Sequence, residues 1–154
     1  LRSSSDSAFA MYVISAEYVQ NRSDTDIYVY YFNQNLPGHA DPVRDEEFYG
    51  SFHSSELWYF FNSMRDVEGQ RQWTEADYNL ADQITSYIAN FVKTGDPNGE
   101  GLAEWTVCSS ENEGTYMWWA NGESQCVTSV DEAREALNRT LTLNSWGLTE
   151  EDLL

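Results

Sequence analysis

Basic residues are scarce in this sequence: eight lysines and arginines stand against 26 aspartates and glutamates, a formal charge of −18 over 154 residues. So acidic a chain repels phosphate backbones and anionic lipid headgroups, which argues against nucleic acid and against a charged membrane surface as partners. No apolar run approaches the roughly 20 residues that a membrane-spanning helix requires. The chain opens Leu-Arg-Ser-Ser-Ser, without Met or an apolar signal core. Such a start fits a chain that continues a longer protein, and it carries no targeting information. Cysteine is limited to Cys108 and Cys126, for which a disulfide and two reduced thiols are both open readings. Histidine is limited to His39 and His53. What the sequence has in quantity is apolar and aromatic residues, 41% and 15%, enough for a packed core despite the charge.

The pattern of those residues predicts an α/β chain. Residues 7 to 20 read as an amphipathic helix with Ser5 or Asp6 as its cap and Phe9, Val13 and Ala16 near one face. Residues 27 to 32, Ile-Tyr-Val-Tyr-Tyr-Phe, read as a strand covered on both faces. Residues 33 to 50 hold Pro37, Gly38, Pro42 and Gly50 and form a long loop, which by its length is more often functional or mobile than inert. A short helix is expected within 51 to 61, and a polar connection over 62 to 73. The clearest helix runs from about Glu75 to Lys93, with Thr74 and Asp77 as a capping box. Leu80, Ile84, Tyr87, Ile88 and Phe91 form its apolar stripe, and Gly95 and Pro97 its stop. Trp105-Thr-Val and Tyr116-Met-Trp-Trp are expected to be two strands around a Glu-Asn-Glu-Gly turn. A last helix is expected over about 131 to 138, capped by Ser129 and Glu132, before a polar tail. A strand apolar on both faces needs neighbours that this inventory does not supply, so the sheet is expected to be incomplete as a stand-alone unit.

His53 follows the long loop and precedes a short aromatic segment. In hydrolases with a Ser-acid-His triad in that chain order, the histidine comes last, on a loop after a late strand, and shuttles the serine proton. An unperturbed imidazole, with a pKa of about 6.5, suits such a task. A histidine that caps the short helix is the alternative. Glu56, three residues on, could be cast as a triad acid, but a structural role is preferred. The Gly95-Asp96-Pro97-Asn98-Gly99 segment fails the spacing of a calcium loop, and helix termination accounts for it. His39 and the acids Asp41, Asp45, Glu46 and Glu47 read as solvated loop. Trp118 and Trp119 are neighbours on a strand, so at most one faces solvent. Trp58, Tyr59 and Phe60 either line a pocket or pack. The sequons at Asn21 and Asn138 are tripeptides that chance produces often.

Three segments carry a resemblance. Tyr28-Val-Tyr-Tyr-Phe32, then Gly50-Ser-Phe-His-Ser-Ser-Glu-Leu57, then Asn90-Phe-Val-Lys-Thr-Gly-Asp-Pro-Asn98 with Trp105, occur in order and with similar spacing at the end of type-B carboxylesterases, relatives of para-nitrobenzyl esterases and cholinesterases. The resemblance covers about residues 8 to 107. It implies the C-terminal part of an α/β-hydrolase fold: a late sheet strand, the catalytic-histidine loop and the C-terminal helices. Residues 1–107 would be that segment, and 108–154 a hairpin and terminal helix of the same domain. It also implies that His53 is the general base of ester hydrolysis, with Phe52 and Trp58 at the substrate pocket. No metal or organic cofactor is implied, and the triad acid lies upstream of the histidine in the family.

The sequence contains no Gly-x-Ser-x-Gly elbow and no Gly-Gly-rich oxyanion segment. Without a nucleophile His53 has no serine proton to take, so the chain alone is expected to be inactive. The implied partners are a small-molecule ester and either the missing N-terminal part of the same protein or a second copy over the sheet edge. Two other classes remain in view: a non-catalytic cholinesterase-like binding or adhesion domain, and a carbohydrate-binding module using Trp118 or Trp119.

Overall fold

A computed structural model of the chain describes residues 2–38, 50–112 and 114–154. In chain order the elements are α1 (Arg2–Gln20), β1 (Tyr30–Phe32), α2 (Leu57–Phe60), α3 (Glu75–Thr94), a 3₁₀ turn (Ser110–Asn112), β2 (Tyr116–Ala120), β3 (Glu123–Val127), α4 (Glu132–Trp146) and a second 3₁₀ turn (Glu150–Leu153). The strands form one sheet in the order β1-β2-β3. By compactness the chain divides into two units: residues 1–31, 105–117 and 126–154, and residues 32–104 and 118–125. Among the described residues no helix is long and apolar enough to cross a membrane, and no group of three or more His, Cys, Asp or Glu could hold a metal ion.

The sheet is open and incomplete within this chain, as expected. β1 is short and at the edge, and Tyr30 is 39% exposed. The covered strand is β2, flanked on both sides, with Tyr116, Met117, Trp119 and Ala120 all buried. The N–H of Met117 donates to Val29 O and that of Asn33 to Trp119 O. Both partners advance together, so β1 and β2 run parallel. The expected hairpin is corrected. Residues 105–107 are not a strand; β2 pairs instead with β3 through the two-residue loop Asn121-Gly122. Both loop residues have positive φ, +56° and +78°, the requirement of a type I′ hairpin turn.

In the first unit α1 packs on α4. Ile14, Leu143 and Leu153 form a core cluster with Leu148 against it. The inward row of α1 is Ala10, Ile14 and Glu17 at helical spacing, with Ala16 beside it; the expected Phe9 and Val13 are only half-buried. The helix begins at Arg2, ahead of the expected Ser5 or Asp6 cap. Phe9 nevertheless stacks edge-on against Tyr31 and Tyr116 at 4.7 and 4.6 Å. Glu17 is buried and pairs with Arg139 at 2.7 Å, and Arg139 also pairs with Glu150 at 2.7 Å. Burial alone would make the guanidinium less basic, but its hydrogen bonds to Glu150 and Glu17 outweigh that and keep it charged. The Arg139 hydrogen bond in turn holds the Glu150 carboxyl below its ordinary range. These three side chains, with Ser110, Leu153 and Leu154, line a cleft of about 320 Å³. The last helix is longer than expected, Glu132–Trp146, and its cap is Asp131 rather than Ser129. Asn21 donates to Ser110 Oγ at 2.7 Å and to the Leu153 carbonyl, so its amide is already committed to the terminal turn.

Both cysteines are free thiols. Cys126 Sγ accepts the Thr106 N–H at 3.4 Å. Cys108 is fully buried, and burial, followed by the negative charge of Glu17, pushes its thiol up to about 12. The thiolate is the reactive form, so Cys108 stays inert in the folded chain at neutral pH. A maleimide or aromatic disulfide reagent at pH 8 should titrate one thiol natively and two in urea. Two fast native equivalents would show that Cys108 is not held as described.

In the second unit α2 packs on α3. Helix α3 has the expected ends. The Thr74 side chain accepts the Asp77 N–H, Asp77 returns the bond to the Thr74 N–H, and Gly95 closes the helix at φ +82°. Leu80, Ile84 and Tyr87 are buried, whereas Phe91 is 44% exposed. After the helix, Asn90 Nδ2 donates to the carbonyls of Pro97 and Asn98, both at 3.2 Å, and folds the Gly-Asp-Pro-Asn segment back on α3. The hairpin turn sits on the first turn of α3: a Cβ on Gly122 would lie 2.8 Å from the Ala76 Cβ. Gly122→Ala combines that clash with a left-handed backbone and should cost about 2 kcal/mol in urea unfolding. A cost below ~0.5 kcal/mol would mean that the turn is not tied to α3.

Candidate active site

His53 lies in a tight turn before α2. Ser55 is fully buried; its Oγ accepts the Phe52 N–H at 3.2 Å, and its own N–H donates to the Phe52 carbonyl at 2.9 Å. Between them Ser54 is left-handed at φ +70°, an uncommon conformation for a residue with a Cβ. The turn therefore pushes His53 outward, and its side chain is exposed, with no hydrogen bond among the described residues. Glu56 stands at the start of α2 but makes no side-chain capping bond. Phe52 is 41% exposed, Trp58 is half-buried and Tyr59 is fully buried.

Below the turn lies a polar hub that the sequence reading recognised only as a helix cap. Asp77 is 2% exposed. One carboxylate oxygen accepts the Tyr59 hydroxyl at 2.6 Å and the Gln34 amide at 3.1 Å. The other accepts the Thr74 N–H at 2.9 Å and the Thr74 hydroxyl at 2.6 Å. Gln34 Oε1 in turn accepts the Gly122 N–H at 2.9 Å. One buried carboxylate thus joins the segment after β1, α2, α3 and the hairpin turn. Burial first, then Asp77, raises the Tyr59 hydroxyl far above its ordinary range, so it remains a donor at all ordinary pH.

Arg71, within the stretch read as polar connection, is the second residue the sequence reading passed over. Its guanidinium lies 4.8 Å from the Trp58 ring centre and 6.0 Å from those of Phe52 and Trp73. It also donates to the Pro37 carbonyl at 3.3 Å. Arg71 thereby brings together Phe52 and Trp58, the two residues expected at a substrate pocket. Trp58 is further packed against Trp73, with ring centres 6.0 Å apart. Trp119 is buried against Phe60 and Tyr87, while Trp118 is half-buried. Asp96 accepts the backbone and side-chain N–H groups of Asn98, which completes the turn after α3. His39, Asp41, Asp45, Glu46 and Glu47 lie outside the described residues.

Residues 1–137 match the model of the carboxylesterase family. The chain belongs to that family. Human cocaine esterase is 30% identical over 107 residues, which are 69% of this chain and 19% of that protein. Two solved esterases share the fold. One, from the anaerobe Clostridium hathewayi, hydrolyses aliphatic aromatic polyesters; it aligns with a TM-score of 0.55 and 20% identity over 75% of this chain and 21% of its own. The other, the juvenile hormone esterase of Manduca sexta, aligns with a TM-score of 0.53 and 23% identity over 86% of this chain and 26% of its own. The fold of this carboxylesterase chain is accordingly of the α/β-hydrolase class, represented by an open three-stranded sheet with helices. The chain spans about a fifth of the length of the relatives it matches.

Proposed function

We propose that the whole protein of which this carboxylesterase chain is a part hydrolyses carboxylic esters through a serine triad, with His53 as the general base. The observation that carries the reading is His53 itself: a solvent-facing histidine on a locked turn, inside the Gly-x-x-His-x-x-Glu-Leu segment of a carboxylesterase-family chain. In the proposed cycle a serine outside these 154 residues attacks the ester carbonyl while His53 takes its proton. The resulting imidazolium protonates the departing alcohol, and the neutral ring then activates water to release the acid. No step draws on a metal. Phe52 and Trp58 supply apolar surface beside the histidine, which favours an ester with an apolar or aromatic part. The substrates in the matched proteins' names, cocaine, juvenile hormone and polyesters, differ widely, so the proposal stops at small-molecule carboxylic esters.

The test is hydrolysis of p-nitrophenyl acetate and butyrate by the whole protein, alongside labelling by a fluorophosphonate probe. Burst release of nitrophenol and a single labelled serine are expected, with neither from the 154-residue chain alone. A whole protein that neither turns over esters nor takes the probe would instead be the non-catalytic binding form of this family.

A further inference from the structure

We infer that Arg71 and Ser55 act as a two-sided clamp that positions His53 for catalysis, an inference that rests on the proposed role of His53. The turn has to be held from both sides because its geometry is unfavourable by itself: Ser54, next to the histidine, sits at φ +70°. From inside, the buried Ser55 closes the turn through both of its bonds to Phe52, Oγ to the N–H and N–H to the carbonyl. From outside, the Arg71 guanidinium faces the Trp58 ring at 4.8 Å and lies within cation–π range of the Phe52 ring at 6.0 Å, on either side of His53 in sequence. The same guanidinium donates to the Pro37 carbonyl, which fixes it to the segment that leads toward the histidine.

A planar guanidinium can face an aromatic ring and still donate a hydrogen bond in its plane, whereas an ammonium is a compact point charge without that flat face. The residue type is therefore specific to the task. Neither Arg71 nor Ser55 reaches a reacting atom in this scheme. Each acts through Phe52, the residue next to the base.

The experiment uses the whole protein, with rates normalised to active sites counted by a stoichiometric organophosphorus titrant. Hydrogen exchange is followed in the peptide covering residues 50–57. Arg71→Gln and Ser55→Ala should each lower kcat per titrated site by about 10-fold or more, and in Ser55→Ala, which leaves the Arg71 contacts with Phe52 and Trp58 in place, KM should stay within about two-fold, since a misplaced base costs rate and not binding. The Phe52 amide should exchange faster in both. Arg71→Lys, a milder change for folding, should not restore the rate, because charge without stacking does not rebuild the clamp. Unchanged kcat per site in both variants would overturn the inference, and so would full rescue by lysine. A fall in kcat with no change in exchange would also overturn it, since the turn would then not be what the two residues hold. His53→Ala separates the two claims: if it leaves turnover intact, the role of His53 itself falls, whatever the exchange data say of the turn.

Discussion

Replacing His53 with alanine in the whole protein should lower kcat for p-nitrophenyl acetate by about 10⁴-fold or more, with little change in KM. Loss of one member of a serine triad removes proton transfer at both acylation and deacylation, and the members act as a unit, so the loss approaches that of the whole triad. The turn geometry should survive the change, because Ser55 and Phe52 hold it through backbone groups and the Ser55 hydroxyl, and none of these bonds involves the imidazole. The circular dichroism and unfolding midpoint of His53→Ala should therefore match those of the parent protein. A loss below about tenfold with intact folding would remove His53 from the mechanism and favour a purely structural role for the motif.

The second large effect concerns stability. Asp77→Ala should destabilise the fold by about 4 kcal/mol, because it strands the Tyr59 hydroxyl, the Gln34 amide and the Thr74 N–H, and hydrogen bonds to a charged acceptor are worth about 1.5–3 kcal/mol each. Asp77→Asn keeps an acceptor but turns an NH₂ toward donors, and should cost about 2 kcal/mol. Glu75→Ala, two residues away in the same first turn but on the exposed side, is the control and should stay within about 0.5 kcal/mol. Urea unfolding followed by tryptophan emission reads the change, since Trp73 lies 6.1 Å from the Tyr59 ring that Asp77 holds. If Asp77→Ala costs only about 1 kcal/mol, the value of a helix cap alone, the carboxylate is a cap and not a hub.

The contrast between Asp77 and the helix it caps shows how far the sequence can be read. Thr74, Asp77 and Gly95 announced both ends of α3 correctly because a cap is satisfied within three or four residues of its own chain. The Asn121-Gly122 hairpin signal is equally local, and it, not the Glu-Asn-Glu-Gly stretch, forms the hairpin turn. β2 is central in this sheet because β3 pairs with it through that turn. The apolar run at 27 to 32 calls for more cover than these 154 residues hold, and at the edge of the sheet Tyr30 is accordingly exposed.

What the sequence determined by itself was the order of three motifs around His53, the lack of a serine elbow, the acidic charge and the caps of α3. Each is a property of residue types at short spacing, which chain connectivity preserves in any fold. Tertiary structure alone decided that Asp77 reaches Gln34, 43 residues away, and that Trp105 reaches Val29, 76 residues away. It alone decided that Cys108 is sealed off, and that Arg71 lies over Phe52 and Trp58. The reason is physical. A buried polar or charged group needs a partner wherever packing brings one, and residues far apart in sequence become neighbours only when the sheet and helices have been assembled.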